Sequence, residues 1–111
     1  MGRRVLSGQS ICVEETTNLD GVTSATTGSS VDMRWYNRIT VFMISSANTG
    51  AVTVTIQASV DGTNWFDLNS KTYTATNSND VYHYTSYYPY IRTKTSTHSN
   101  ATISTYIAGR S

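Results

Sequence analysis

Apolar and polar positions alternate with a period of two along most of this chain, and the spacing of three and four that marks an amphipathic helix is absent. The clearest run is Ala51 to Val60. There Val52, Val54, Ile56, Ala58 and Val60 alternate with Thr53, Thr55, Gln57 and Ser59, which predicts an antiparallel strand with one buried and one solvated face. Asn48-Thr49-Gly50 before it and Asp61-Gly62-Thr63-Asn64 after it are turn sequences, because Asp-Gly supplies the positive φ that a tight hairpin needs. Trp65 to Leu68 is expected to return as the partner strand, with Phe66 and Leu68 facing the core beside Ala58 and Val60 and with Trp65 at the rim. Arg34 to Ser46 carries Trp35, Ile39, Val41, Phe42, Met43 and Ile44, so its centre is apolar on both sides. It reads as a central strand covered on both faces.

Ser10 to Glu14, Lys71 to Thr76, Val81 to Thr85, Tyr87 to Thr95 and Ala101 to Ala108 complete the predicted strands, with turns at Asn77 to Asp80 and Ser96 to Asn100. Pro89 lacks a ladder donor and belongs at an edge, a strand start or a bulge. Residues 1–9 are expected to form an N-terminal arm, and the polar stretch 16–30 a long loop. The pattern predicts one all-β domain over residues 1–111: an antiparallel β-sandwich of jelly-roll type with seven to eight strands, a small barrel being the runner-up.

Composition agrees with strands and narrows the function. The 111 residues include 34 Ser and Thr, 8 Asn and 8 Tyr, but only 14% are charged. Thr at this density disfavours helix. The net charge of +1 gives no footprint for nucleic acid, and no apolar run approaches the ~18 residues of a membrane span. Cys12, alone in the chain and flanked by Ile11 and Val13, is expected to be a buried, inert thiol. No apolar stretch follows Arg3 and Arg4 as a signal peptide requires, so the chain is expected in a cytoplasm, and Asn100-Ala101-Thr102 reads as a chance glycosylation pattern.

Candidate chemistry is sparse. His83 and His98 lack metal-site spacing, no Ser lies in a nucleophile elbow, and the Asp residues fall mostly in predicted turns. Glu14 and Glu15 are adjacent, so on a strand they point to opposite faces and cannot flank one bond. No enzyme activity and no cofactor are expected. Binding is the better prospect. Tyr82, Tyr84, Tyr87, Tyr88 and Tyr90 fall within nine positions, and on a strand from Tyr87 onward Tyr88, Tyr90, Arg92 and Lys94 share a face. Tyr is enriched at interfaces, where it gives a large contact area at low entropy cost. Arg3 and Arg4 form a local positive cluster suited to an acidic partner surface. The contact candidates are therefore Arg3, Arg4, Tyr82, Tyr84, Tyr88, Tyr90, Arg92 and Lys94. Trp65 reads as a core lid or, alternatively, as a platform for stacking a sugar ring.

Two stretches carry a resemblance: Ala58-Ser59-Val60-Asp61-Gly62-Thr63-Asn64-Trp65-Phe66-Asp67-Leu68, and Pro89-Tyr90-Ile91-Arg92-Thr93-Lys94 followed by Tyr106-Ile107-Ala108-Gly109-Arg110. In this order they span about half the chain, and the chain resembles small all-β virion structural proteins of tailed bacteriophages, notably capsid decoration or cement proteins and some tail-associated proteins. The Asp-Gly-x-Asn-Trp hairpin is also similar to one in discoidin-like carbohydrate-binding sandwiches, which are normally longer. The phage resemblance implies a structural role on a capsid shell, with the major capsid protein as partner and homo-oligomers, often trimers; neither nucleic acid nor a membrane is expected as a partner. It implies a place on the virion surface, reached from the host cytoplasm during assembly. A carbohydrate-binding module and a tail or neck component are the alternatives.

Overall fold

The computed structural model describes residues 2–5 and 12–111, and side chains from residue 15 onward. The described residues form nine strands: β1 (Gly2–Val5), β2 (Cys12–Val22), β3 (Val31–Asp32), β4 (Arg38–Ser46), β5 (Ala51–Ser59), β6 (Trp65–Thr74), β7 (Ser78–Tyr84), β8 (Tyr90–Ser96) and β9 (Thr102–Arg110). They build two antiparallel sheets, ordered β1-β2-β9-β4-β7 and β3-β8-β5-β6. The pairings nest: β5 with β6, β4 with β7, β3 with β8 and β2 with β9. A chain folded as one long hairpin and then rolled up gives this nesting, so the sandwich is a jelly roll. β1 lies outside the nest, as a fifth strand on the edge of β2.

The core is the product of alternation. From the first sheet, Leu19, Ile39, Val41, Met43, Ile103 and Ile107 point inward; from the second, Val52, Val54, Ile56, Ala58 and Ile91 meet them. Full burial of such a side chain contributes roughly 1.5–3 kcal/mol relative to exposure. Thr93 and Thr105 are also fully buried, and they satisfy each other through an Oγ1···Oγ1 contact of 2.7 Å between the sheets. The Thr105 hydroxyl accepts from Leu19 N, and Thr93 Oγ1 donates to Asn18 Oδ1, so neither hydroxyl pays the cost of an unmade bond.

Several expectations change. The stretch 16–30 is not one loop. β2 runs on to Val22, because its pairing with β9 absorbs two irregularities, between Thr17 and Leu19 and between Leu19 and Val22. Such bulges let a strand persist where the alternation breaks. The remainder, 23–30, lies along β8: Gly28 N donates to Thr93 O and Thr95 N to Thr26 O. The N-terminal arm is a strand over Gly2–Val5 with Arg3 in register with Glu14 and Arg4 with Val13. The rest of the predicted arm, and the burial expected of the Cys12 thiol, lie outside the described residues and side chains.

β4 begins at Arg38 and is buried on one face alone; Phe42 is 43% exposed, and Trp35, ahead of the strand, is 69% exposed. The opposite deviation occurs on β5, whose polar Thr55, Gln57 and Ser59 are buried although they face outward. β6 and β8 flank this strand on both sides, and their side chains cover it. Val60 and Phe66, predicted inward, are 70% and 64% exposed. A bulge after Ile56 leaves Leu68 without a direct partner, and Phe66 lies on the edge strand β6, where it lines a notch with Tyr87 and Tyr88. The turn expected at Asn77 to Asp80 comes earlier, since Ser78 already starts β7 and Ala75 takes the positive φ of 48°. β8 starts at Tyr90, and Pro89 stands just before it, a position where no ladder donor is required.

Candidate functional site

The outer face of the second sheet is built in cross-strand rows. Register aligns Tyr90, Ser59 and Trp65 in one row, Arg92, Gln57 and Asp67 in the next, and Lys94, Thr55 and Ser70 in a third. Period two then brings Tyr90, Arg92 and Lys94 to one face, as the sequence predicted, while Ile91, Thr93 and Thr95 go to the core.

Hydrogen bonds lock the middle row. Gln57 Nε2 donates to Asp67 Oδ1 at 2.8 Å, and Arg92 Nε donates to Gln57 Oε1 at 2.9 Å. The Arg92 guanidinium lies 4.0 Å from the centre of the Trp65 ring, a cation–π contact that holds both groups and occupies one face of the indole. Trp65 is thus not the core lid of one reading; it is half-buried on the outside of the sheet, with Arg92 over one face of its ring. Lys94 stands one row away from Arg92 on the same face. In the third row Thr55 and Ser70 hydroxyls bond to each other at 3.0 Å.

The 59–64 turn borders this face. Asp61 Oδ1 accepts from the backbone of Thr63 and Asn64, each at 2.8 Å, and Asp61 Oδ2 accepts from Asn64 Nδ2 at 2.7 Å. Those donors hold the Asp61 carboxyl well below the usual carboxylate range. Gly62 takes φ +78°, the conformation Asp-Gly was expected to supply. On the other border Arg34 forms a bidentate pair with Asp32, with contacts of 3.0 and 2.7 Å, and lies 5.6 Å from the Tyr90 ring centre. Asp32 pushes the Arg34 guanidinium above its ordinary value.

The other tyrosines go elsewhere. Tyr82 and Tyr84 alternate inward on β7 and pack against the core edge, and so does Tyr88, which is not on the strand and leaves the face it was assigned. Tyr84 and Tyr88 meet edge to face, with ring centres 5.8 Å apart. Tyr84 donates to Asn69 Oδ1 on β6, which ties the two sheets at this edge. Burial first, then Tyr82 and Tyr88, push the Tyr84 hydroxyl up to about 12. The cluster that looked like one surface is therefore split between an edge seam and an outer face. Arg3 and Arg4 lie on β1, in the other sheet.

Sequence reasoning missed two features. Gln57 and Asp67 organise the face, yet alone each reads as an ordinary polar strand residue; only the register, regular to β8 and bulged to β6, sets Gln57 between Arg92 and Asp67. The second is an apolar row on the outside of the first sheet, where Val81, Phe42 and Tyr106 stand in register and are 47%, 43% and 38% exposed. The parity of Val41 and Met43, both inward, was the signal that could have placed Phe42 outside.

His83 contacts Thr40 Oγ1 at 3.2 Å on the outer face of the first sheet, and His98 bridges Thr95 Oγ1 and Ala101 O at 3.1 and 2.6 Å in the β8–β9 turn. Among the described residues no three His, Cys, Asp or Glu side chains gather to hold a metal ion.

No family model matches the chain. No curated protein matches it either. Among solved structures, one described as "CBM4 structure and function" is similar over 97% of this chain and 71% of its own, with a TM-score of 0.46 and 14% identity.

Proposed function

We propose that this chain is a structural component of a bacteriophage virion, a decoration protein that seats on the outer capsid shell and reinforces it. The observation that carries the reading is the locked row of Asp67, Gln57, Arg92 and Trp65, with Tyr90 and Lys94 beside it. Such a face is ordered before it meets a partner, so little side-chain freedom is lost on docking. The resemblance of the hairpin 58–68 and of segment 89–94 to virion structural proteins supports the same reading. The partner is the major capsid protein, met through Arg92 and Lys94 as hydrogen-bond donors and through the edges of Tyr90 and Trp65.

Reinforcement follows from mass action. Contacts that exist only on the assembled shell stabilise that shell against disruption, and many weak contacts repeated over a lattice add through multivalency.

Co-sedimentation of the purified chain with expanded capsids tests the proposal. The chain pellets with the capsids to a saturating copy number, and the double variant Arg92→Glu, Lys94→Glu, which keeps the fold because both side chains face outward, binds at least about tenfold more weakly. Equal binding by the variant overturns the assignment of the face. Quenching of tryptophan fluorescence by a polysaccharide, with no capsid binding, would replace the reading with a carbohydrate-binding one.

A further inference from the structure

The structure assigns the outer face of the first sheet as a surface that pairs with a second copy of this chain. This inference goes beyond shell binding and stands on a different face. Its centre is the row Val81, Phe42, Tyr106 and Thr17, with Ile44 and Ser104 on one side and Thr40 and Ala108 on the other. The row crosses four adjacent strands at one level, so its apolar side chains form a continuous band rather than scattered exposures. Beside it lies a groove of about 630 Å³ lined by Glu15, Thr17, Phe42, Tyr106 and Ala108. The centre of the face holds no charged side chain; Glu15, Arg38 and Arg110 stand toward one end. Depletion of charge around an aromatic and apolar centre is the composition of an interface core.

Area argues for a copy as the occupant. Four strands at about 4.8 Å spacing and about 30 Å length present roughly 570 Å² of flat sheet, so two copies face to face bury roughly 1,100 Å², which clears the ~1,000 Å² that a specific interface needs. A two-fold axis along β9 lays β2 of one copy over β4 of the other and sets Tyr106 against its own mate. Such an interface is isologous and closes at two.

Sedimentation equilibrium of the full chain tests this. The wild type has the mass of a dimer, and Phe42→Glu raises the dissociation constant at least about tenfold, because it places a charge at the centre of the pair. Val60→Glu, at an apolar site still more exposed and just past the end of β5 in the other sheet, leaves the dimer intact. Should Phe42→Glu lose its cooperative melt, Val81→Lys gives the same readout on the edge strand. A monomeric or trimeric wild type overturns the inference, and so does a dimer untouched by both Phe42→Glu and Val81→Lys. The Arg92 and Lys94 variant leaves the dimer unchanged, so failure here and failure of shell binding are read separately.

Discussion

Gly109 shows how closely a single residue is held in this core. It lies on β9 in register with Ile39, and a methyl group added there would meet Met33 Sδ at 2.6 Å and the Tyr36 ring at 2.9 Å. Both neighbours are themselves buried, so neither can swing away into solvent. Gly109→Ala is therefore expected to destabilise the fold by about 1–3 kcal/mol, read as a lower urea midpoint with unchanged slope. An unchanged midpoint would show that Met33 has room to move. Alternation in the sequence foresaw the inward face of β5, where Val52, Val54, Ile56 and Ala58 are all buried. It could not foresee that Val60 falls past the end of β5, or that Phe66, level with the buried Ala58 and Ile91, stands exposed on the edge strand β6, because parity gives a side chain's direction and not whether anything lies opposite. Thr93 and Thr105 mislead in the reverse sense. Hydroxyl residues read as surface, yet here each satisfies the other, and a paired hydroxyl costs little to bury.

Elements were legible as strands but not at their ends. The strong period of β5 revealed its strand, one residue too long and with its polar face buried rather than solvated, while the Thr-rich β2 was lost to a loop because Thr serves turns and strands alike. Its strand state comes from pairing with β9, a contact more than eighty residues away in sequence. At the edge where β6 faces β7, two tyrosines fasten the sheets together. Tyr73 donates to Asp80 Oδ2 at 2.5 Å and Tyr84 to Asn69. Burial, and then Asp80, raise the Tyr73 hydroxyl beyond its ordinary value, and burial raises that of Tyr84 to about 12. The sign follows from linkage. A phenol that stays protonated in the folded chain but ionises near pH 10 once unfolded contributes stability that is complete below about pH 10 and falls as pH rises above it. Urea midpoints are thus expected to drop from about pH 10 upward, and the double variant Tyr73→Phe, Tyr84→Phe is expected to be weaker at neutral pH yet flatter in alkali. An alkaline drop of equal steepness in that variant would assign the effect to other groups.

At the scale of the molecule, the nested pairing that makes a jelly roll leaves two broad outer faces of different character. One is polar and locked by the Asp67–Gln57–Arg92–Trp65 row; the other is apolar, with Val81, Phe42 and Tyr106 across its middle. The first was half visible in the sequence, since Tyr90, Arg92 and Lys94 share a parity on any strand. The second was hidden, because Phe42 is surrounded by core residues in the chain and only the sheet separates it from them. On the proposed reading, the first face meets a capsid shell and the second another copy of the chain. The most direct test is the temperature at which expanded capsids break open, measured with and without the bound chain. The account predicts a higher disruption temperature when the wild type is bound and no gain with the Arg92→Glu, Lys94→Glu variant. Identical disruption temperatures with and without the wild-type chain at saturating concentration would contradict it.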